Sequence, residues 1–285
     1  MISQISAKVI ADSVSSEGSR LTTMELRFHR FILAELNTHR KFSRNSASSR
    51  AVPIQKQIEQ VRTDPAIPIE FGTRQPGMQA GPPLEDQELD DALEYWLESA
   101  ENACIAATRL DNLGVHKQVV NRLLEPYLWH TAIVSSTEWD NFFSQRLSPL
   151  AQPEFGELAQ KMHEAITRSS PVERTYDMDN EMDFWHLPYV SDEERAELGM
   201  KAVHVSTARC ARVSYLTHDG NVNVAKDLEL YDKLTTANPP HYSPMEHPAR
   251  PLYHSDVTST ITFDEWSETN FDGWMQWRQV QEWIL

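Results

Sequence analysis

The sequence predicts an α+β protein, in which helices pack across a mixed sheet. Residues 9–14 and 21–28 are rich in apolar and β-branched side chains and are separated by the turn Ser16–Ser19, which predicts two strands. A long helix is predicted further on, because apolar residues recur every three or four positions from Leu89 to Leu110. Gly114 then stands where a helix C-terminal cap is expected. Strands and helices therefore alternate irregularly along one chain.

Other elements are predicted by local signals. A helix from Phe31 to Leu36 leads into a basic loop at residues 37–53. Residues 64–84 hold five prolines and three glycines, which predicts a surface excursion. Ser135–Glu138 matches a capping box and predicts the start of a helix that bears Asn141 and Arg146.

The second half of the chain is predicted to be mainly helical. Pro153 favours the start of a helix whose apolar face holds Phe155, Leu158, Met162 and Ile166. We expect a loop at residues 169–190 and a helix that begins at the capping box Ser191–Glu194 and ends at Gly199. A further helix is expected from about Asp227 to Thr236.

Composition excludes several classes of function. The chain has 285 residues and a net charge of −16, so a broad basic face for duplex nucleic acid is not expected. No apolar run reaches the length of a membrane span, and we expect a cytoplasmic protein. The nine glycines form neither a GxGxxG motif nor a P-loop, so a dinucleotide would not bind in a Rossmann crevice.

Cysteine and histidine usage argues against metal or disulfide chemistry. Cys104 and Cys210 lie in apolar contexts without a CxxC partner, and we expect both to be core residues. His241, His247 and His254 lie near Glu246, but their spacing fits no single helix face, so no metal site is predicted.

The most informative segment is the basic, hydroxyl-rich loop. No Asp or Glu occurs between Leu36 and Ile58, so the loop stays locally positive in an acidic chain. Arginine binds phosphate through two parallel hydrogen bonds, and serine hydroxyls and turn N–H groups complete such a site. The loop therefore predicts an anion-binding site suited to a single nucleotide.

The spacing within this loop resembles a known signature. His39-Arg40, seven residues, then Ser48 and Arg50 resemble the Arg-His-Arg, seven residues, Ser signature of the flavin-dependent thymidylate synthases, with Thr38 in place of the first Arg. Other patches of the chain resemble further elements of that family: Asn121–Pro126, Asn141–Arg146, Ala151–Glu154, Ala211–Tyr215 and His241–His247. The last two lie upstream of Arg-His-Arg in the ordinary family. The chain thus resembles a circularly permuted member, a single domain over residues 1–285 with the flavin-binding segment at about residues 200–285.

The resemblance implies a function and a set of site residues. The family transfers a one-carbon unit from methylene-tetrahydrofolate to dUMP, FAD supplies the hydride, NADPH reduces the flavin, and no cysteine attacks the ring. Carried over by motif position, the nucleotide would be bound by Glu35, Ser48, Ser49, Arg50, Arg122 and Arg146, of which Ser48, Arg122 and Arg146 would be catalytic. FAD would be bound by Thr38, His39, Arg40, Asn141, Ser214 and His247. We further expect Arg122 to lie on an apolar helix, and we expect a homotetramer with sites at the subunit junctions.

Departures from the family pattern leave alternatives open. Thr38 removes one cation, Ser46 replaces an acid, Leu150 replaces a His, and Ser135 and Thr137 stand where Asn and Arg are common. The alternatives are a different mode of flavin binding, or dCMP in place of dUMP as the substrate, and omission of the reduction would leave a hydroxymethyl product. A non-catalytic nucleotide-binding protein is the alternative from a different class.

Overall fold

The computed structural model describes residues 5–175, 183–213, 223–252 and 270–284. A five-stranded sheet with the order β3-β4-β2-β1-β5 forms its centre. Neighbouring strands are antiparallel except β5, which runs parallel to β1. The strands of this sheet are β1 (Ser6–Ser15), β2 (Arg20–His29), β3 (Ser43–Ser46), β4 (Trp129–Ser136) and β5 (Val172–Arg174). The α+β class with a mixed sheet is thereby confirmed.

The predicted N-terminal strands form a hairpin. Gly18 in its turn has φ +86°, a conformation that L side chains rarely adopt. A β-bulge between Val9 and Ala11 shifts the alternation of β1. Val9 therefore packs in the same core as Met24, whereas Ser13, beyond the bulge, lies on the other face of the sheet.

One face of the sheet, called here the α6 face, is covered by α1 (Leu33–Leu36), α5 (Asp140–Arg146) and α6 (Pro153–Arg168). Even-numbered residues of β2 and β4, among them Met24 and Val134, point to this face. They pack with Phe142, Phe155, Leu158 and Met162. The start of α6 at Pro153, with its predicted apolar face, is confirmed.

The opposite face, called the α8 face, is covered by the C-terminal part of the chain. Its elements are α7 (Asp192–Leu198), α8 (Lys201–Arg212), α9 (Val224–Thr236), a two-stranded sheet of β6 (Ala249–Pro251) and β7 (Trp274–Gln276), and α10 (Trp277–Ile284). Ile133 of β4 packs against Cys210 and Val213 on this side. The capping box at Ser191 and the end of α7 at Gly199 are confirmed.

A third group of helices packs beyond the start of β4. It consists of α2 (Ile54–Thr63), α3 (Asp86–Asn112), α4 (Lys117–Val120) and a 3₁₀ helix over Asn121–Tyr127, which share one apolar cluster. Helix α3 ends as predicted, with Gly114 at φ +79° and the Val115 N–H bonded to the Leu110 carbonyl. Both cysteines are buried and free, as expected. None of the helices in the described ranges is long and apolar enough to cross a membrane.

Two local predictions are wrong. Ser135 and Ser136 do not cap a helix, because they end strand β4, and α5 begins only at Asp140 after an N-cap residue, Trp139, that makes no side-chain cap. The expected loop at residues 169–190 contains the short strand β5. In both places pairing with a neighbouring strand outweighs the local signal.

The sheet should depend strongly on the packing of α6. Leu158 is 0% exposed within the core of the α6 face, so Leu158→Ala leaves a cavity there. We expect it to lower the free energy of unfolding by about 2–5 kcal/mol in urea denaturation. Gln160→Ala on the exposed side of the same helix is the matched control and should stay within about 0.5 kcal/mol of the unsubstituted protein. Equal midpoints for the two variants would contradict the proposed packing.

Candidate functional site

The basic loop follows strand β3 at the start of β4. The Ala47 N–H bonds to the Thr131 carbonyl, and a turn then closes from the Ser48 carbonyl to the Ala51 N–H. Ser49 is buried, whereas Arg50 is exposed and makes no ion pair within the described part of the chain. Ser48 lies between these extremes of exposure. The loop thus presents a free guanidinium next to a fixed turn.

Glu125, which the sequence did not single out, holds this loop in place. Its Oε1 atom accepts hydrogen bonds from Ser49 Oγ at 2.7 Å, Arg122 Nη1 at 2.8 Å and Arg30 Nη2 at 2.9 Å. Burial raises the pKa of Glu125, but the Ser49 hydrogen bond and the two arginines outweigh it and lower the pKa overall. Glu125 is therefore an ionised acceptor that brings Ser49 and Arg122 together.

The expectation for Arg122 is corrected. Its side chain is 54% exposed, it lies on the 3₁₀ helix and it is paired with Glu125, so it is not a guanidinium buried on an apolar helix. The neighbouring Asn121 is 0% exposed and donates from Nδ2 to the carbonyls of Ser49 and Val52. The motif patch Asn121–Pro126 thus fixes the basic loop through one buried amide and one carboxylate.

A second group of candidate residues lies on the α6 face. The Nε–H of Arg146 donates to His39 Nε2 over 3.1 Å, and the Arg146 guanidinium stacks on the Phe155 ring at 4.4 Å. Burial lowers the pKa of Arg146, and the nearby charge of Glu35 partly raises it again. Glu35 Oε2 is buried without a hydrogen-bond partner among the described residues. Glu35, His39 and Arg146 therefore form one cluster, in which one acceptor atom and further guanidinium N–H groups have no partner among the described residues.

His39 is neutral in this cluster. Burial first, and then the charges of Arg146 and Arg44, lower its pKa to about 4. Its ring packs edge-on against Phe142 at 4.9 Å. A neutral imidazole can accept the Arg146 hydrogen bond, whereas a protonated one cannot.

His247 lies apart from both groups. It is 0% exposed on the α8 face, and its Nδ1 atom is 2.8 Å from Ser135 Oγ. Its Nε2 atom has no partner among the described residues. His39 packs in the core of the α6 face, so the two histidines lie on opposite faces of the sheet within one chain.

Four predicted flavin-binding residues remain. Three of them, Thr38, Arg40 and Asn141, are exposed, and their roles stay predictions. Ser214 lies outside the described residues. Within the described ranges no group of His, Cys, Asp or Glu could hold a metal ion.

Sequence reasoning missed Glu125 and Arg30. Both act through contacts that join distant parts of the chain, since Glu125 is 76 positions from Ser49 and 95 from Arg30. The available signal was the acid in Asn121–Pro126, at a position where the motif it resembles has Leu.

The neutral state of His39 predicts a pH effect on stability. Its folded pKa lies below the usual value of 6.5, so the unfolded chain binds the proton more tightly and the unfolding free energy falls as pH drops from about 6.5 to 4. His39→Gln keeps an acceptor for Arg146 but does not titrate. Between pH 7 and pH 5, we expect the unfolding free energy of this variant to fall by about 1–2 kcal/mol less than that of the unsubstituted protein. Urea unfolding at the two pH values measures this, with His163→Gln, an exposed histidine of α6, as the control that keeps the original slope.

Comparison with known proteins identifies the family. The family model of the thymidylate synthase complementing proteins matches residues 20–172. No curated protein sequence matches the chain.

Comparison of structures gives remote likenesses. A UMP/dUMP methylase, PolB from Streptomyces cacaoi bound with 5-Br UMP, is 15% identical with a TM-score of 0.45, and the match covers 58% of this chain and 90% of PolB. Thymidylate synthase X from Helicobacter pylori with FAD and dUMP is 17% identical with a TM-score of 0.36, over 51% of this chain and 67% of that one. At this level of likeness we take no function from either structure.

The family match spans the basic loop, the Glu125 group and the Arg146 cluster, and it covers more than half of the chain. The protein therefore belongs to the family of thymidylate synthase complementing proteins, the flavin-dependent thymidylate synthases that its motifs resemble.

Proposed function

We propose that this protein methylates dUMP to dTMP, with methylene-tetrahydrofolate as the carbon donor, FAD as the hydride carrier and NADPH as the reductant. The observation that carries the proposal is the fixed loop Ser48–Arg50, tied to Arg122 through Glu125 inside the family-matched residues. A cytoplasmic location and a free nucleotide as the substrate are part of the same proposal.

The loop is suited to a nucleotide phosphate. Arg50 offers a free guanidinium fork, and Ser48 adds a hydroxyl beside it. The Ser49 hydroxyl already donates to Glu125, and the negative charge of Glu125 offsets part of the positive charge of Arg30 and Arg122. We propose that Arg50 and Ser48 bind the phosphate, while Ser49 fixes the turn.

Several side chains fit a flavin. The buried Nε2 atom of His247 lacks a partner among the described residues, and Thr38, Arg40 and Asn141 are exposed polar groups. Because His39 and His247 lie on opposite faces of the sheet, we propose that the two histidines at one flavin come from two subunits of a homotetramer. The permuted motif order also stays a prediction, since the patches after residue 200 lie beyond the family match.

The chemistry needs orientation and charge stabilisation from the protein. Bound reduced FAD would supply the hydride that converts the transferred carbon to a methyl group. The free N–H groups of Arg146 would stabilise negative charge on the pyrimidine oxygen. Cys210 is fully buried and burial raises its thiol pKa, so it is unsuited to attack the ring, and burial raises the pKa of Cys104 as well.

A second substrate, dCMP, is favoured by Glu35. Its buried Oε2 atom needs a donor, and a carboxylate accepts hydrogen bonds from the exocyclic amino group of cytosine. The same carboxylate opposes negative charge on a uracil ring, which Arg146 alone would favour. A dCMP methylase or hydroxymethylase is therefore the alternative that this structure supports.

Product analysis separates these functions. The protein is incubated with FAD, NADPH and methylene-tetrahydrofolate and with dUMP or dCMP in parallel, and mass spectrometry identifies methyl or hydroxymethyl products. We expect dTMP from dUMP. If dCMP is the substrate, Glu35→Gln should shift the ratio of the two products toward dTMP, whereas Glu164→Gln on the surface of α6 should not. Nucleotide binding without any product would reject the enzymatic proposal in favour of a binding protein.

Arg50 tests the phosphate site. Arg50→Lys keeps the charge but loses the fork, so we expect the nucleotide dissociation constant to rise about ten- to a hundredfold, equivalent to about 1.5–3 kcal/mol. Isothermal titration calorimetry measures this, and the melting temperature should not change because Arg50 is exposed. Arg168→Lys, an equally conservative change of an exposed arginine, is the matched control. Equal affinities in all three proteins would refute the loop assignment.

A further inference from the structure

A chain of hydrogen bonds runs through the α8 face of the sheet and ends at His247. Ser13 Oγ lies 2.9 Å from His186 Nδ1, His186 Nε2 lies 2.7 Å from Thr23 Oγ1, and Thr23 Oγ1 lies 2.6 Å from Ser135 Oγ. Ser135 Oγ lies 2.8 Å from His247 Nδ1. All five side chains are at most 1% exposed. The chain is therefore sealed from water along its whole length.

Separate elements of the fold bring the five side chains of this hydrogen-bond series together. The antiparallel register places Thr23 of β2 directly opposite Ser135 of β4, and the bulge in β1 turns Ser13 to the same face. His186 is bridged to Ala249 by two backbone hydrogen bonds of 2.7 and 3.1 Å. The segment that carries His247 is thus held beside the segment that carries His186.

Both histidines are neutral. Burial lowers the pKa of His247 to about 3 and lowers that of His186 well below its usual value. Each ring therefore carries one N–H, and each of the three hydroxyls carries one O–H. Five hydrogens serve four links, so one hydrogen has no acceptor among these five side chains.

The groups at the two ends of this series of hydrogen bonds, Ser13 Oγ and His247 Nε2, decide which atom carries the hydrogen that has no acceptor. If the links ran from His247 toward Ser13, both the Ser13 O–H and the His247 Nε2 lone pair would be buried without partners in the described structure. If they run from Ser13 toward His247, Ser13 donates its hydrogen and the leftover hydrogen is the N–H at His247 Nε2. Either arrangement leaves one buried hydrogen without a partner among the described residues. Any arrangement in which His247 Nδ1 carries the hydrogen leaves the Nε2 lone pair unpaired as well, whereas the arrangement that runs from Ser13 to His247 leaves only the Nε2 N–H unpaired and therefore costs less.

We propose that Ser13, His186, Thr23 and Ser135 are positioning residues that hold His247 in its Nε2–H tautomer, so that it donates to an acceptor atom of the bound flavin. The choice of flavin as the acceptor rests on the proposed function. The assignment of the tautomer does not rest on the proposed function, because hydrogen bonds among the five side chains set the tautomer.

Nitrogen NMR of the protein without added ligand tests the tautomer. The protein is labelled with ¹⁵N-histidine, and the His247 signals are assigned by their loss in His247→Gln. We expect Nε2 to be protonated and Nδ1 to be unprotonated. Thr23→Val removes one hydroxyl at nearly constant volume, so a protonated Nδ1 should appear, and Thr23→Ser should restore the original spectrum.

A neighbouring threonine supplies the matched control. Thr22 is 0% exposed, and its hydroxyl donates to Asp12 Oδ1 outside the chain of five side chains. Thr22→Val should destabilise the protein to a similar extent without changing the His247 signals. For FAD, we expect Thr23→Val to raise the dissociation constant about tenfold and Thr22→Val to leave it within about twofold.

The outcomes are distinguishable. A protonated Nδ1 in the unsubstituted protein, or an unchanged spectrum in Thr23→Val, would overturn the proposal. A changed tautomer with unchanged FAD affinity would overturn the positioning role toward the flavin. If the unsubstituted protein shows the Nε2–H tautomer but binds no FAD, the proposed function fails while the tautomer assignment stands.

Discussion

The pairing of β4 with its two neighbours is the constraint on which the rest of the structure depends. Eight consecutive pairs join β4 to β2, from Thr22 opposite Ser136 to His29 opposite Trp129, and four more join β4 to β3. Successive side chains point to opposite faces, so Val134 enters the apolar core while Ser135 faces His247. A slip of one residue would exchange the two faces and would place a serine in the apolar core in place of a valine. The same register sets where the basic loop leaves β3.

Local signals in the sequence predicted the elements whose ends are fixed by their own residues. Gly114 ends α3 because a glycine accepts a positive φ, Pro153 starts α6, and the Ser191 capping box starts α7. The Ser135–Glu138 signal failed because the same residue types also end a strand when a partner strand is available. Pairing partners lie far away in sequence, and a single sequence does not reveal them.

In the candidate site too, local signals predict some residues, whereas others depend on contacts with distant parts of the chain. The basic loop and Arg146 stood out by charge and spacing, and the family match includes both. Glu125 fixes the basic loop through its contacts with Ser49 and the distant Arg30, and His186 is a lone histidine whose contacts depend on a strand register and a bulge. Most buried polar atoms in folded proteins are paired, so Glu35 Oε2 and His247 Nε2, which have no partner in the part of the chain that the structure describes, mark places where stability is given up. Such positions are typical of ligand sites, since a ligand supplies the missing partner.

The two edge strands of the central sheet limit how copies of the protein can associate. Edge strand β3 has four residues and edge strand β5 has three. The side chains of β3 are also occupied from the C-terminal part of the chain, because Asn45 donates to the Cys210 carbonyl and Gln276 donates to Ser43 Oγ. Edge strands of three and four residues offer little template for strand addition, the contact through which sheets fuse into fibrils. A subunit interface of this protein would then use helices and loops, a kind of contact that does not extend a sheet into a fibril.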